Sequence, residues 1–189
     1  KSFQDSIIFL RFLLIPIFCY FIFFKNDKII NYLLIIIFVL VLFVSVDTLI
    51  QFFNYSSRDG FGNDLLGFKS NWYGRLTGPF KDELIPGSYL SKFGLFGYIY
   101  LISSKKFERN ILIQSFYLSL ILIVCFATGE RMALAVYSLA LVILLFFIQK
   151  HKTSIILSMI FGLISIYCIF KFHPFYNDYK IIESNQYHQ

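Results

Sequence analysis

The sequence predicts an all-α fold in which about six helices form one membrane-spanning bundle. The chain is 58% hydrophobic and only 15% charged, with a mean hydropathy of +0.70, whereas about 25% of the residues in a soluble domain are charged. Its apolar residues fall into blocks close to the ~20 residues that a helix needs to cross a bilayer. Backbone groups in hydrocarbon must satisfy their own hydrogen bonds, so we expect each block to be a helix.

Hydropathy divides the chain into six spans within a single transmembrane domain, residues 1–189. In chain order they are Ile7–Phe24, Ile29–Val46, Ser88–Ser103, Ile111–Ala127, Met132–Ile148 and Ser154–Phe170. The third span is short and contains Lys92, Gly94 and Gly97, which are less typical of a span. Because the chain opens with Lys1 and ends in a polar stretch, we expect it to be a piece of a longer protein.

Three short connectors between spans are rich in Lys and Arg, which predicts the side of the membrane on which they lie. Their basic residues are Lys25, Lys28, Lys105, Lys106, Arg109, Lys150 and Lys152. Basic residues close to span ends favour the cytoplasm. All three connectors fall on one face when six spans alternate, and this agreement supports the span count. The basic residues do not form one patch, so the net charge of +6 does not predict a nucleic-acid partner.

Alternation places three polar segments on the opposite, outer face. They are the loop 47–87, the turn Thr128–Arg131 and the tail 173–189, which we interpret as the start of a further periplasmic loop. No Gly-rich loop followed by Lys and Ser/Thr is present, so the sequence predicts no ATP chemistry and no cofactor. The three His and three Cys residues lack metal-ligand or disulfide spacing, so we expect neither a metal site nor a disulfide.

Arg75 is the first candidate catalytic residue, because Gly and Pro surround it in the outer loop. It lies between Gly74 and the Thr77-Gly78-Pro79 triplet. Gly and Pro impose a tight, irregular backbone that can approach a bound molecule closely. A guanidinium there can hold an oxyanion through two hydrogen bonds. The alternative is a solvated arginine at the level of the lipid headgroups.

Arg131 is the second candidate, in a minimal hairpin between the fourth and fifth spans. It follows Thr128, Gly129 and Glu130 and starts the fifth span. Free backbone N–H groups and the helix dipole favour an anion at such a position. We therefore predict a phosphate-binding corner to which Thr128 and Glu130 contribute. The alternative is that Arg131 reaches lipid phosphate directly, with Glu130 as its local partner.

Five further residues complete the predicted site. The substrate-binding candidates are Arg11, Asp47, Gln51 and Gly78, and the catalytic candidate is Glu83. Arg11 lies inside the first apolar block, where an ionisable side chain is costly and usually functional, although it can also reach the surface. Glu83 shares a compact loop with Arg75 and can pair with it or orient a sugar hydroxyl. The ordinary alternative for these carboxylates is solvation.

These residues together resemble a known family. The order of Asp47 and Gln51, then Gly60-Phe61-Gly62, then RLTGPF-x-x-E-x-x-x-GSYL, then TGER at a hairpin is similar to the bacterial O-antigen ligase and O-antigen polymerase superfamily. The resemblance covers Asp47–Leu134 in motif detail and the remainder only as spans. It implies the GT-C type of architecture, found in multi-span glycosyltransferases of the bacterial inner membrane.

The resemblance also implies a reaction on the periplasmic side. The donor would be a glycan on a polyprenyl diphosphate such as undecaprenyl diphosphate, and the acceptor a hydroxyl of lipid A core or of another lipid-linked glycan. Arg75 and Arg131 match the arginines that contact the donor diphosphate in the family. The family's histidine is followed by Asn and an apolar helix, so its role does not transfer to His188. We therefore expect the chain alone to be an inactive part of an enzyme.

Three functions remain open at this point. The first is a glycan ligase or polymerase, with no preference between the two. The second is a membrane transporter or a lipid or polysaccharide flippase, which predicts ionisable residues near the bilayer midplane. The third is a non-catalytic membrane scaffold. Only the first requires Arg75 and Arg131 to meet at one outer cavity.

Overall fold

The fold of the described residues is all-helical. The computed structural model describes residues 27–178, of which 73% are helical and none belongs to a strand. The five long helices are α1 (Asp27–Phe53), α2 (Pro86–Ser103), α3 (Ile111–Ala127), α4 (Arg131–Phe147) and α5 (Lys152–Phe172). Short 3-10 helices cover Gly78–Phe80 and Gln149–His151, and a last helical turn covers residues 174–178.

Two of the described helices are long and apolar enough to cross a membrane by length and composition. These are Lys28–Phe53 and Gln149–Phe172, the second of which includes the 3-10 turn before α5. Ile111–Ala127 and Arg131–Phe147 are shorter apolar helices. Many large apolar side chains on these helices face outward, such as Phe146 and Phe147, which are 74% and 81% exposed. The helices thus indicate membrane association.

The helix ends follow hydropathy closely except at the first loop. The predicted span Ile111–Ala127 coincides with α3, and the ends of α2, α4 and α5 differ from prediction by one or two residues. The predicted loop 47–87 is wrong at its start, because α1 continues to Phe53. Its last two turns carry polar side chains that bind the loop, so hydropathy fell before the helix ended. The predicted span Ile7–Phe24 lies outside the described residues.

Helix α3 is the centre of the bundle and packs against the other four long helices. Its Leu118 and Ile121 are fully buried. Two buried tyrosines join α3 to its neighbours by donating hydrogen bonds to backbone carbonyls. Tyr117 Oη of α3 donates to Gly94 O of α2 at 2.9 Å, and Tyr137 Oη of α4 donates to Leu118 O of α3 at 3.2 Å. These bonds satisfy hydroxyl groups that burial would otherwise leave unpaired.

The connectors separate into two ends of the bundle. At the basic end, formed by residues 104–110 and 148–152, Lys150 pairs with Glu108, which lowers the pKa of the Glu108 carboxyl. At the loop end, formed by residues 54–85, 128–130 and 173–178, Leu76 N donates to Thr128 O at 3.3 Å. The two described basic connectors therefore share one end, as the alternation of spans predicts.

Candidate functional site

Gln51 fixes the loop against the end of α1. Its Oε1 accepts hydrogen bonds from the backbone N–H groups of Thr77 and Gly78, at 3.0 and 2.9 Å. Its Nε2 donates to Phe68 O at 3.3 Å and to Thr77 Oγ1 at 3.4 Å. Gln51 is fully buried. Every polar atom of its amide is therefore used to hold two separate parts of the loop.

Asp47 and Gly78 also lie in the contact that holds the loop against the end of α1. Asp47 is fully buried, and its Oδ1 accepts from Leu65 N at 2.9 Å. Gly78 has a φ of 49°, and a methyl group added there would come within 2.6 Å of Thr48 Oγ1. Asp47, Gln51 and Gly78 were predicted to bind substrate. The structure places them in the contact between α1 and the loop, where they hold the two together, and none of them belongs to the wall of the arginine cavity described below.

The loop in turn docks on the turn 128–130 and positions Arg75. Ser70 Oγ donates to Arg75 O at 2.6 Å, and fully buried Leu76 bonds the carbonyl of Thr128. Gly129 has a φ of 73°, and the Gly74 carbonyl occupies the space where a side chain at residue 129 would project. This glycine lets the two segments touch, so Arg75 lies beside the start of α4.

Glu130 links the starts of α2 and α4. Its Oε1 accepts from Gly87 N at 3.0 Å, and its Oε2 accepts from Ser88 N at 3.0 Å and Ser88 Oγ at 2.9 Å. The carboxylate thus caps the first turn of α2, where free N–H groups and the helix dipole favour a negative charge. Glu130 was predicted to contact substrate or Arg131. It stands at the cavity wall but its carboxylate binds α2.

Arg75 and Arg131 line one cavity of about 520 Å³ at the loop end. Arg131 is the first residue of α4, whose own N-terminus has no side-chain cap. Both arginines are exposed, and neither guanidinium makes a hydrogen bond or ion pair with any residue in the range 27–178. The aromatic part of the wall consists of Tyr73, Phe126, Phe170, Phe175 and Tyr176.

The other predicted site residues lie away from this cavity. Glu83 is exposed, and its backbone N–H donates to Phe80 O at 3.2 Å, but its side chain is not part of the wall. Thr128 is fully buried and donates its Oγ1 hydrogen to Cys125 O at 2.9 Å. Arg11 lies outside the described residues. Of the nine predicted residues, the structure brings Arg75, Glu130 and Arg131 together.

The aromatic wall that follows α5 was not predicted from the sequence. Phe175 packs against Phe61 and Tyr73, with ring centroids 5.1 and 5.9 Å apart. Tyr176 stacks on Phe126 at 5.7 Å. The cluster of aromatic residues directly after the last span was the available signal, because such residues close to a helix end readily fold back onto its neighbours.

His173 anchors this aromatic segment to α1. It stacks on Phe52 with ring centroids 4.0 Å apart. Phe175 N donates to its Nδ1 at 3.3 Å, so Nδ1 carries no hydrogen and Nε2 donates to Phe52 O at 3.2 Å. Tyr55 Oη also binds this segment, by donating a hydrogen bond to Asp178 Oδ2 at 3.0 Å. Burial, together with the Asp178 carboxylate, raises the pKa of Tyr55 to about 12.

Acidification is expected to release the segment 173–178. Burial lowers the pKa of His173 from 6.5, and the bond to Phe52 O opposes this effect in part. Since the folded pKa lies below the unfolded one, the stabilisation is complete above about pH 6.5 and is lost as pH falls through the folded pKa. Protonated Nδ1 also loses the Phe175 bond. The amide protection factors of residues 173–178, which are exchange rates corrected for their intrinsic pH dependence, should therefore fall as the pH is lowered through and below about 6.5.

The matched variants for this measurement are His173→Gln and His151→Gln. His173→Gln removes the titrating group, so the protection factors should no longer fall on acidification. His151 lies at the basic end, and its replacement should leave the pH dependence intact. An equal loss of protection on acidification in wild type and His173→Gln would contradict the assignment.

Asp47→Asn is expected to leave the stability unchanged or to raise it. The Oδ2 atoms of Asp47 and Asp64 are buried without hydrogen-bond partners among residues 27–178, and the two carboxyl groups are neighbours. The introduced amide would keep the acceptor for Leu65 N and offer a donor to Asp64. Thermal unfolding of Asp47→Asn and Asp47→Ala tests this prediction. The alanine variant loses the acceptor for Leu65 N as well, so its free energy of unfolding should fall by about 1–3 kcal/mol.

Comparisons of this chain with protein-family models, with curated proteins and with solved structures found no match. The class of protein is therefore defined by the described fold and its cavity. Residues 27–178 form an all-helical fold with two helices long enough to cross a membrane and a cavity in which two arginines meet aromatic side chains.

Proposed function

We propose that this chain is part of an inner-membrane glycosyltransferase of the O-antigen ligase or polymerase type. In this function the chain spans the membrane six times, with the loop end in the periplasm. It moves a glycan from a polyprenyl diphosphate to a sugar hydroxyl of lipid A core or of another lipid-linked glycan. The observation that carries the proposal is that Arg75 and Arg131 line the same cavity.

The charge of the cavity suits a diphosphate. Two guanidinium groups contribute two positive charges, and each can bind phosphate oxygens through two hydrogen bonds. Glu130 is the acidic residue of the wall, but its carboxylate is occupied by the N–H groups of Gly87 and Ser88. Because the start of α2 compensates this negative charge, the arginines remain available for a dianionic or trianionic ligand.

The remainder of the wall suits a lipid-linked ligand. Phe126, Leu134 and Phe170 provide apolar surface beside the two arginines, and outward-facing apolar side chains continue along α4, such as Val136 and Leu139. A polyprenyl chain can therefore lie along hydrocarbon while its diphosphate reaches the guanidinium groups. Free inorganic phosphate would gain nothing from this apolar surface.

The same arrangement can assist the reaction. As the bond between sugar C1 and the diphosphate oxygen breaks, negative charge grows on the departing oxygen. Guanidinium groups that are already in place stabilise that charge more strongly in a site shielded from water. The acceptor hydroxyl oxygen bonds to C1 as the bond from C1 to the diphosphate breaks, the polyprenyl diphosphate leaves, and the hydroxyl proton passes to water. The donor is already activated, so no nucleotide or other cofactor is required.

Arg75→Ala and Arg131→Ala are each expected to lower transferase activity at least about a hundredfold, as loss of one transition-state charge partner does elsewhere. The full-length gene would be expressed in one strain that lacks its surface-glycan ligase and in another that lacks the polymerase. Gel analysis of lipopolysaccharide reads out capped lipid A core for a ligase and long-chain ladders for a polymerase.

Arg109→Ala is the matched control, because Arg109 is an exposed arginine at the basic end. It should retain wild-type activity. Full activity of either cavity variant would overturn the proposed role of the arginines. If the protein reaches the membrane but restores neither phenotype, the glycosyltransferase proposal fails for these substrates and transport becomes the better explanation.

A further inference from the structure

A second cavity adjoins the arginine cavity at the loop end. Its volume is about 310 Å³, near the lower limit of the ~300–1,000 Å³ typical of small-molecule sites. Tyr73, Gly74 and Phe175 belong to the walls of both cavities. A molecule whose charged part lies against Arg75 can therefore extend past Tyr73 into this second space.

The polar groups of the second cavity have balanced charge and free hydrogen-bonding capacity. Arg58 and Asp59 are adjacent, exposed and opposite in sign, and Ser57 precedes them. Within residues 27–178, the side chains of these three residues have no hydrogen-bond partner. They offer several donors and acceptors with no net charge. This suits a ligand rich in hydroxyl groups better than a second phosphate.

Trp72 supplies a flat surface that is held in place. Its Nε1 donates to Asp82 O at 3.1 Å, and its backbone N–H donates to Ser70 Oγ at 3.3 Å. Asn71 in the same wall donates to Asp82 Oδ1 at 2.9 Å. The Trp72 side chain nevertheless remains 53% exposed. A fixed, exposed indole beside paired polar groups can pack against the C–H face of a sugar ring at little cost in side-chain entropy.

We propose that the second cavity binds the sugar that is joined to the diphosphate of the donor. This inference rests on the proposed function, since it requires a diphosphate in the arginine cavity. Trp72 packs against one face of the ring, and Arg58 and Asp59 bind its hydroxyl groups. The shared wall at Tyr73 then lies next to the bond that breaks, between the sugar and the diphosphate.

The test compares two probes on the full-length protein in lipid nanodiscs. One probe is undecaprenyl diphosphate, and the other is the lipid-linked glycan fraction extracted from the source strain, which contains the natural donor. We expect Trp72→Ala and the double variant Arg58→Ala/Asp59→Ala to bind the glycan-linked probe at least about tenfold more weakly. Binding of undecaprenyl diphosphate should stay within about twofold of wild type, which also shows that the variants fold.

Two controls make the result specific. Trp72→Phe keeps an aromatic face and should recover most of the affinity, whereas Lys69→Ala changes an exposed residue of the same loop outside both cavities and should have no effect. Equal weakening for both probes would identify Trp72 as a membrane anchor and overturn the sugar site, as would unchanged binding of the glycan-linked probe.

The two proposals fail in different ways. If Arg75→Ala abolishes binding of undecaprenyl diphosphate while the Trp72 and Arg58 variants bind both probes normally, the sugar site is wrong and the diphosphate site stands. If the wild-type protein binds neither probe, both the sugar site and the proposed function are wrong.

Discussion

Gln51→Leu is expected to destabilise the protein by about 4 kcal/mol and to release the loop 54–85 from α1, because each unsatisfied buried group costs about 1–3 kcal/mol. The substitution nearly conserves volume, but it leaves two buried N–H groups, of Thr77 and Gly78, without partners. Phe68 O loses its bond from Gln51 Nε2 but keeps the one from Asp64 N. Arg75 would lose its fixed position, so the transferase activity that we propose should fall as well. Thermal unfolding and limited proteolysis of residues 54–85 measure the two effects.

Gln149→Leu is the matched control for this experiment. Gln149 also donates its Nε2 hydrogen to a carbonyl, Phe146 O at 3.0 Å, but this bond is exposed. Water can replace it, so the change in unfolding free energy should stay within about 0.5 kcal/mol. A Gln51→Leu protein as stable as Gln149→Leu would mean that the loop is held by other contacts.

Glu130→Ala is expected to cost about 3 kcal/mol, because hydrogen bonds to charged groups contribute about 1.5–3 kcal/mol each before partial replacement by water. It should also lower the transferase activity that we propose, through the position of Arg131. The carboxylate accepts three hydrogen bonds at the start of α2. Glu130→Gln keeps one acceptor oxygen and should lie between the alanine variant and wild type. Unfolding free energy in mixed detergent and transferase activity give the two measurements.

Glu83→Ala separates this structural effect from a general loss of negative charge. Glu83 is exposed at the same end, and its carboxylate has no hydrogen-bond partner within residues 27–178. Its removal should change stability by less than about 0.5 kcal/mol. If Glu130→Ala lowers activity while stability and the binding of undecaprenyl diphosphate remain unchanged, Glu130 acts in the reaction rather than as a helix cap.

Helices could be predicted from the sequence because each apolar block carries its own signal. The block Ile111–Ala127 is bounded by Asn110, whose side chain accepts from Ile113 N, and by the Thr128-Gly129 corner. Both are local features that a sequence displays directly. The end of α1 was predicted too early because Asp47 and Gln51 look like loop residues until their partners are known.

The arginines of the site could also be predicted, but the supporting residues could not. Arg75 and Arg131 stand out as cations among Gly, Pro and apolar residues. The roles of Gln51 and Glu130 depend on partners 17 to 43 residues away. No local pattern encodes such distant pairs, so the sequence indicated polar residues near the site but not which of them hold the backbone and which face the cavity.

The close contacts of α3 have a consequence for how the bundle assembles. Methyl groups added at Gly94 or Gly162 would press into Ile121 or Leu122, and one at Gly97 would overlap Tyr117. Lipid tails are as apolar as these side chains, so in a bilayer steric fit rather than escape from water brings helices together. Enlarging these glycines should therefore weaken the packing of the helices against one another while the apolar character of each helix stays the same.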